Sequence, residues 1–404
     1  MLNSPNDFSV WIRTQLPELN RSLDENPNTV LLGVLSDEIL QLFPFPKGMR
    51  EESLDGQRIR EMFTYISMVH TSLYHHRESI ISSGQSLPEN FDSAFNQIEN
   101  KMIDLAAQLG VEHRFLSTFY LLYNPESGGK SAQFRPGKDE AEFAGANRVG
   151  TIQFRTAALA LLDATKLLAS EGSDADAVAS LLHMAGEAFD RIVELNRDLA
   201  QHLDRKKFGL LTKYFGTVNV RGRELRGVNA GDQPWSYIID LLLGVDLKRA
   251  FETAFGRTYP ESVITSAQAV AYEFKMEGYL QAHYLLPEDY ARLEETIGLV
   301  SAGPATLLVG VENRLEVRER EALTALIEET IRKYVMTSNT HYGLAKKYVP
   351  VDKETGEQIG SSGTNIEKFL KLGLIDERMK TLQYLETKHP EHRAARDFTI
   401  IGSS

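Results

Sequence analysis

The sequence predicts an all-α protein, and three observations carry the prediction. Apolar residues recur at spacings of three and four along most of the 404 residues, the signature of amphipathic helices. Gly110, Gly256 and Gly303 fall just past the ends of such stretches, where a helix C-cap glycine sits. No run of alternating residues marks a convincing strand, and no repeat period is visible. In chain order the spacing predicts helices over Asn28–Leu42, Leu54–Ser82, Leu87–Leu109 and Glu112–Tyr123. Gly150–Ala169, Ser173–Leu203, Pro234–Phe255, Ser262–Leu285 and Pro287–Val300 follow. A last, very long helix begins between Ala305 and Val317 and ends near Tyr348.

Two irregular segments interrupt this pattern. Asn124–Asn147 contains Asn124-Pro125, Gly128-Gly129 and Arg135-Pro136-Gly137, and Lys206–Gln233 contains Gly216, Gly222, Gly227 and Gly231. Loops this long inside a compact protein are functional or disordered more often than incidental. The second carries Lys213, Arg221, Arg223 and Arg226, a basic cluster that suits a carboxylate or is simply solvated. The domain reading is an N-terminal helical region over residues 1–125 and a larger helical domain over 126–404.

Composition removes whole classes of function. A net charge of −12 argues against nucleic acid or an anionic membrane as partner. No apolar span reaches the ~18 residues that a transmembrane helix needs. Met1–Asp7 lacks a basic, then apolar, secretory leader, so the expected location is cytoplasmic. The absence of cysteine excludes disulfides, thiolate nucleophiles, iron–sulfur clusters, thiolate haem ligation and thioether-linked haem. His-Glu-x-x-His, phosphate-binding glycine loops and Gly-x-Ser-x-Gly are also missing.

What remains is one histidine and one turn. His341 lies on the stripe Ile327, Tyr334, His341, Tyr348, spaced by seven and therefore on one core-directed face. A histidine there is either a buried residue satisfied by one hydrogen bond or a metal ligand. Ser338, Thr340, Gly343 and Ala345 leave room around it for a flat macrocycle. Downstream, Gly360-Ser361-Ser362-Gly363 precedes Thr364-Asn365-Ile366-Glu367, which reads as a capping box with Thr364 at the N-cap. The glycines and serines add donors beyond those a cap uses, as an anion cradle would. An imidazole and an anion cradle together are what a haem requires. His70 sits on another buried-looking face with Ile66 and Leu73. Thr151, after Gly150 at an expected helix start, either caps that helix or offers its hydroxyl to a pocket.

Several segments, in order, resemble the haem-dependent tryptophan and indoleamine 2,3-dioxygenase superfamily, and most of all its pyrrolnitrin-pathway branch. They are Leu42–Gly48, Leu105–Ala106 through Tyr123-Asn124-Pro125, and Phe208 through Lys213-Tyr214-Phe215. Asn229–Gln233 through Leu241-Leu242-Leu243-Gly244, Thr340–Ala345 and Gln358–Gly363 complete the set. The resemblance implies a helical haem fold of the dioxygenase type and a non-covalent haem b with His341 as its proximal ligand. It implies a substrate- or propionate-binding role for Ser361, Ser362, Gly363 and Thr364. Lys213 stands where indoleamine dioxygenases keep a carboxylate-pairing arginine, and Arg221 lies nearby. His70 superficially resembles the distal histidine of tryptophan dioxygenases, and His70 and Thr151 are the candidates for catalytic roles. The implied partners are a small aromatic amino-acid-like substrate and dioxygen or peroxide, in secondary metabolism. A haem-binding sensor or carrier without turnover, and a haem-free helical scaffold, are the rival readings. The oligomeric state is left open, a homodimer among the options.

Overall fold

The computed structural model describes residues 5–42, 56–126, 130–170, 174–228, 232–275, 282–302, 306–352, 355–360 and 364–388. The predicted all-α class holds. The first half comprises α1 (Pro5–Glu25), α2 (Thr29–Leu42), α3 (Gly56–Ser82), α4 (Phe91–Leu109), α5 (Ser117–Leu122), α6 (Lys138–Ala169), α7 (Ala175–His202) and α8 (Arg205–Leu211). The second half comprises α9 (Trp235–Leu242), α10 (Leu247–Phe255), α11 (Ser266–Lys275), α12 (Pro287–Ser301), α13 (Leu307–Arg314), α14 (Val317–Tyr348) and α15 (Asp376–Lys388). A π-helical stretch, Glu367–Ile375, leads into α15.

The apolar residues form two cores. One gathers α1 to α5, the start of α6 and the excursion between Leu203 and Leu225. The other gathers the rest of α6, most of α7, α9 to α13, α14 as far as Val335, the π-helical stretch and α15. Two long helices run between them. In α6, Ala144 belongs to the first core and Ala157–Leu168 to the second; in α14, Tyr334 belongs to the second and Tyr348 to the first. At a rise of about 1.5 Å per residue, the 32 residues of α6 and of α14 span about 48 Å, long enough to serve both.

Several expectations are corrected. α1 is absent from the predicted set, which begins at Asn28; it forms, with Pro17 inside it, because Phe8, Trp11, Ile12, Leu16 and Leu23 all bury at helical spacing. The predicted loop up to Asn147 is helical from Lys138. Buried Glu140 in the first turn of α6 accepts the N–H groups of Phe134 and Arg135, both at 2.8 Å, and the Tyr120 hydroxyl at 2.7 Å. Thr151 is therefore a mid-helix residue and caps nothing. The predicted helix Pro234–Phe255 breaks at Gly244, whose φ of 77° is left-handed, and Asp246 caps α10 through the Arg249 amide. Within Lys206–Gln233 stands a hairpin, β1 (Val218–Val220) with antiparallel β2 (Arg223–Leu225), Val218 opposite Leu225. Its turn needs positive φ at both Arg221 (49°) and Gly222 (81°), and strands of three residues are too short for alternation to register. Of the glycine caps, Gly110 and Gly256 are left-handed as expected; Gly303 lies outside the described residues, as do residues 43–48, His389 and His392.

The capping box also resolves differently. Asn365 accepts the Lys368 amide at 3.1 Å, while Glu367 turns back to Tyr342 and Lys346 of α14. The chain before it is pinned to the end of α14 by the Gln358 amide, which donates to the carbonyls of Lys346 (2.9 Å) and Val349 (2.7 Å). At Gly373 in the π-helical stretch, a Cβ would lie 3.0 Å from the Ala250 carbonyl oxygen and 3.3 Å from the Ala254 Cβ. Gly373→Val is expected to lower unfolding stability by about 1–3 kcal/mol through overpacking against α10, read from denaturant melts. A wild-type midpoint would show that this contact gives way.

Candidate functional site: a cavity where the two cores meet

A cavity of about 680 Å³ lies where α6 and α14 pass from one core to the other, with the C-terminal part of α7 beside them. Its volume is in the range of small-molecule sites, which favour such junctions. α6 contributes Phe143 to Phe154, α7 contributes Ile192 to Leu199, and α14 contributes Thr337 to Tyr348. Phe208, Phe215 and Phe369 add to a wall that is mainly apolar.

His341 lines this cavity. Ile327, Ile331, Tyr334 and Tyr348 on its stripe are buried, yet His341 itself is exposed, and the space it meets is the cavity. Its ring makes no hydrogen bond to a described residue, so it is not the self-satisfied core histidine that its stripe allows. Enclosure by protein, and secondarily the Arg378 charge, lower its pKa and keep the imidazole in the neutral form that binds a metal. Beneath it, Arg378 of α15 makes a buried bidentate pair with Asp240 of α9 (2.7 and 2.6 Å) and donates to Ser338 Oγ at 2.7 Å, one turn before His341. The guanidinium also covers the Tyr334 ring at 4.2 Å. The Asp240 carboxylate holds Arg378 firmly charged against burial.

Thr151, Lys213, Gly360 and Thr364 also line the cavity. Buried Gln233 donates its amide to Thr151 Oγ1 at 3.2 Å, and both side chains face the same space. Ser361, Ser362 and Gly363 lie outside the described residues. Lys213 is half-buried and its ammonium is engaged by Asp24 of α1. Arg135 pairs with the same carboxylate, and Tyr214 donates to it at 2.9 Å. Burial alone would raise Asp24, but the nearby His75 ring, 3.7 Å away, and the Lys213 ammonium prevail and hold its pKa at about 2. Asp24, His75 and His76 bring potential ligand atoms within 4.8 Å of one another. With Lys213 and Arg135 already on that carboxylate, a metal cation there would meet like-charge repulsion.

Two expected site residues sit elsewhere. His70 is buried in the first core, its ring 5.0 Å from Phe95 and its Nε2 3.8 Å from Glu99, beyond hydrogen-bond reach. Burial lowers its pKa, against the pull of Glu99. The reason is packing, since the face of α3 that carries His70 lies on α4. Arg221 occupies the hairpin turn, engaged by Asn100 and lying 3.6 Å from Glu99, and does not line the cavity. Arg223 and Arg226 likewise pair with Glu112 and Asp232, so the basic cluster is dispersed among separate carboxylates. Sequence reasoning missed Asn147, Gly150, Asn196 and Gln233 in the wall, and the Asp240–Arg378 pair behind it. Asn147 lay in the predicted loop, and nothing in the pattern pairs Asp240 with a residue 138 positions away.

A haem fits these residues. They offer a neutral, unpartnered imidazole in an apolar wall, no cysteine for any covalent link, and a loop with Gly360 and Thr364 at the edge. Over residues 91–255 the chain matches a family model that lies within the haem dioxygenase superfamily of the tryptophan and indoleamine 2,3-dioxygenases. Members of the matched family are haem-dependent oxygenases. The matching model is that of monodechloroaminopyrrolnitrin synthase PrnB. It runs from the start of α4 to the end of α10, taking in Thr151, Lys213 and Gln233 but not His341. No curated protein matches the chain. Among the described residues, no helix is long and apolar enough to cross a membrane.

Proposed function

We propose that this chain is a cytoplasmic haem b oxygenase that acts on an indole-bearing or related aromatic amino acid in secondary metabolism. The single observation that carries the reading is His341, an unpartnered imidazole facing a cavity of about 680 Å³ that is otherwise mainly apolar. His341 would hold the iron, and the loop at Gly360 and Thr364 would lie toward the propionates. When bound, the haem supplies the activation of dioxygen or peroxide. The protein's part is positional. The aromatic side chains Phe143, Phe154, Phe208 and Phe215 exclude water and bury a flat ring. The Arg378–Ser338 contact steadies the turn of α14 that carries His341. Thr151, its oxygen already accepting from Gln233, keeps its own proton available to a ligand.

Lys213 is the candidate anchor for the substrate carboxylate. Lys213 and Arg135 share the one carboxylate of Asp24, so the hub carries more positive than negative charge, and Lys213 borders the cavity. The test compares tryptophan with tryptamine, which lacks only the carboxylate, by perturbation of the haem absorption spectrum. Tryptophan should bind about tenfold or more tightly to wild type, a charge-assisted bond's worth, with near-equality in Lys213→Met. Equal binding to the wild-type protein would refute the anchor, and failure of every aromatic to perturb a bound haem would refute the substrate class.

A further inference from the structure

The cavity wall holds two amide side chains whose orientation is dictated by their partners. Asn147 of α6 donates its Nδ2 to the Phe143 carbonyl at 2.8 Å, an atom that can only accept. Asn196 of α7 donates its Nδ2 to Thr340 Oγ1 at 3.0 Å. That hydroxyl gives its only proton to the Thr337 carbonyl at 2.9 Å, so it too can only accept from Asn196. Neither amide can flip without setting oxygen against oxygen. In both, the Oδ1 meets no donor among the described residues while the residue lines the cavity.

A third observation concerns space. Gly150 also lines the cavity, three residues after Asn147, inside a 32-residue helix. Its φ is not left-handed, and a Cβ built there would meet nothing within 4 Å. Neither backbone conformation nor packing requires glycine, although glycine inside a helix costs about 1 kcal/mol relative to alanine. The missing side chain keeps open the part of the cavity that Asn147 borders.

We propose that Asn147 and Asn196 are the specificity residues of the cavity. Their side-chain carbonyls accept N–H donors of the substrate, its ring N–H or its ammonium group. The inference deepens the proposed function and rests on it. Neutral carbonyls of fixed direction reject an analogue that lacks the donor, because the acceptor is then buried unpaired.

The experiment measures calorimetric binding to the haem-loaded protein of tryptophan and two analogues. One replaces the ring N–H by sulfur (the benzothiophene amino acid), and the other lacks the amine (indole-3-propionate). At least one analogue should bind about tenfold or more weakly than tryptophan, and which one identifies the donor that is read. Asn147→Leu or Asn196→Leu should bring the two affinities within about threefold, with the haem spectrum intact. Gly150→Ala should weaken all three ligands together. If both analogues bind wild type as tightly as tryptophan does, the specificity role is refuted while the aromatic-binding reading stands. If no aromatic binds at all, both fall. Discrimination that survives in both asparagine variants also refutes it. Should those variants not fold, the wild-type comparison of analogues still decides.

Discussion

His341→Ala is expected to remove stoichiometric haem binding while leaving the helical fold in place. His341 is the only histidine among the described residues that line the cavity, and cysteine is absent from the chain. The other cavity-lining nitrogen base, Lys213, is bound to Asp24. Tyr120 and Tyr348 also line the cavity, but their hydroxyls are committed to Glu140 and to the Leu203 carbonyl, so His341 is the free base at hand among the described residues. The cost to the fold should be within about 0.5 kcal/mol, because the side chain faces open space and satisfies no described partner. Titration of purified protein with haem, followed at the Soret band, should saturate at one equivalent in wild type and show only weak, unspecific binding in the variant. Added imidazole should restore the spectrum by entering the space that the side chain leaves. Should His341→Ala retain one equivalent of haem with an unaltered spectrum, the ligand assignment fails.

The second large effect belongs to the pair behind that histidine. Arg378→Met would leave the fully buried Asp240 carboxylate without its bidentate partner, a loss of about 3–5 kcal/mol. Asp240→Leu should cost a similar amount by stranding the guanidinium. The double variant should lose much less than the sum of the two, since neither charge is then left buried alone. The pH dependence has a defined sign. Burial raises Asp240, and without Arg378 the main influence opposing that rise is gone. A carboxyl raised in the folded state supports stability below its unfolded pKa and withdraws it as pH climbs through the folded value. The penalty in Arg378→Met should therefore grow from acid toward neutral pH. Denaturant unfolding of the four proteins across that range measures both points. A penalty that is flat with pH, or additive in the double variant, would mean that the pair is not the coupled unit its geometry describes. Because Arg378 also donates to Ser338 on the same helix as His341, haem affinity should fall in Arg378→Met as well.

Most of the helical class was legible along the chain, because spacing of three and four is a local property that packing only reinforces. So was His341, since a stripe spaced by seven places it on the face of α14 carrying Ile327, Tyr334 and Tyr348. The absence of cysteine had already excluded every ligand that uses sulfur as thiolate. What lay beyond the sequence were the partnerships formed between distant segments. Asp24 claims Lys213 from 189 residues away, and Asp240 claims Arg378 across 138. His70 and Arg221 have the residue types of a site, but α4 and the hairpin turn hold them outside the cavity. Asn147, Gly150 and Thr151 became one cavity face only when Lys138–Val149 proved helical, and that followed from tertiary anchoring of Glu140. Periodicity shows which face of a helix turns inward. Whether that face meets another side chain, a counter-charge or open space is decided where helices remote in sequence come together, and there the tertiary structure alone made the site.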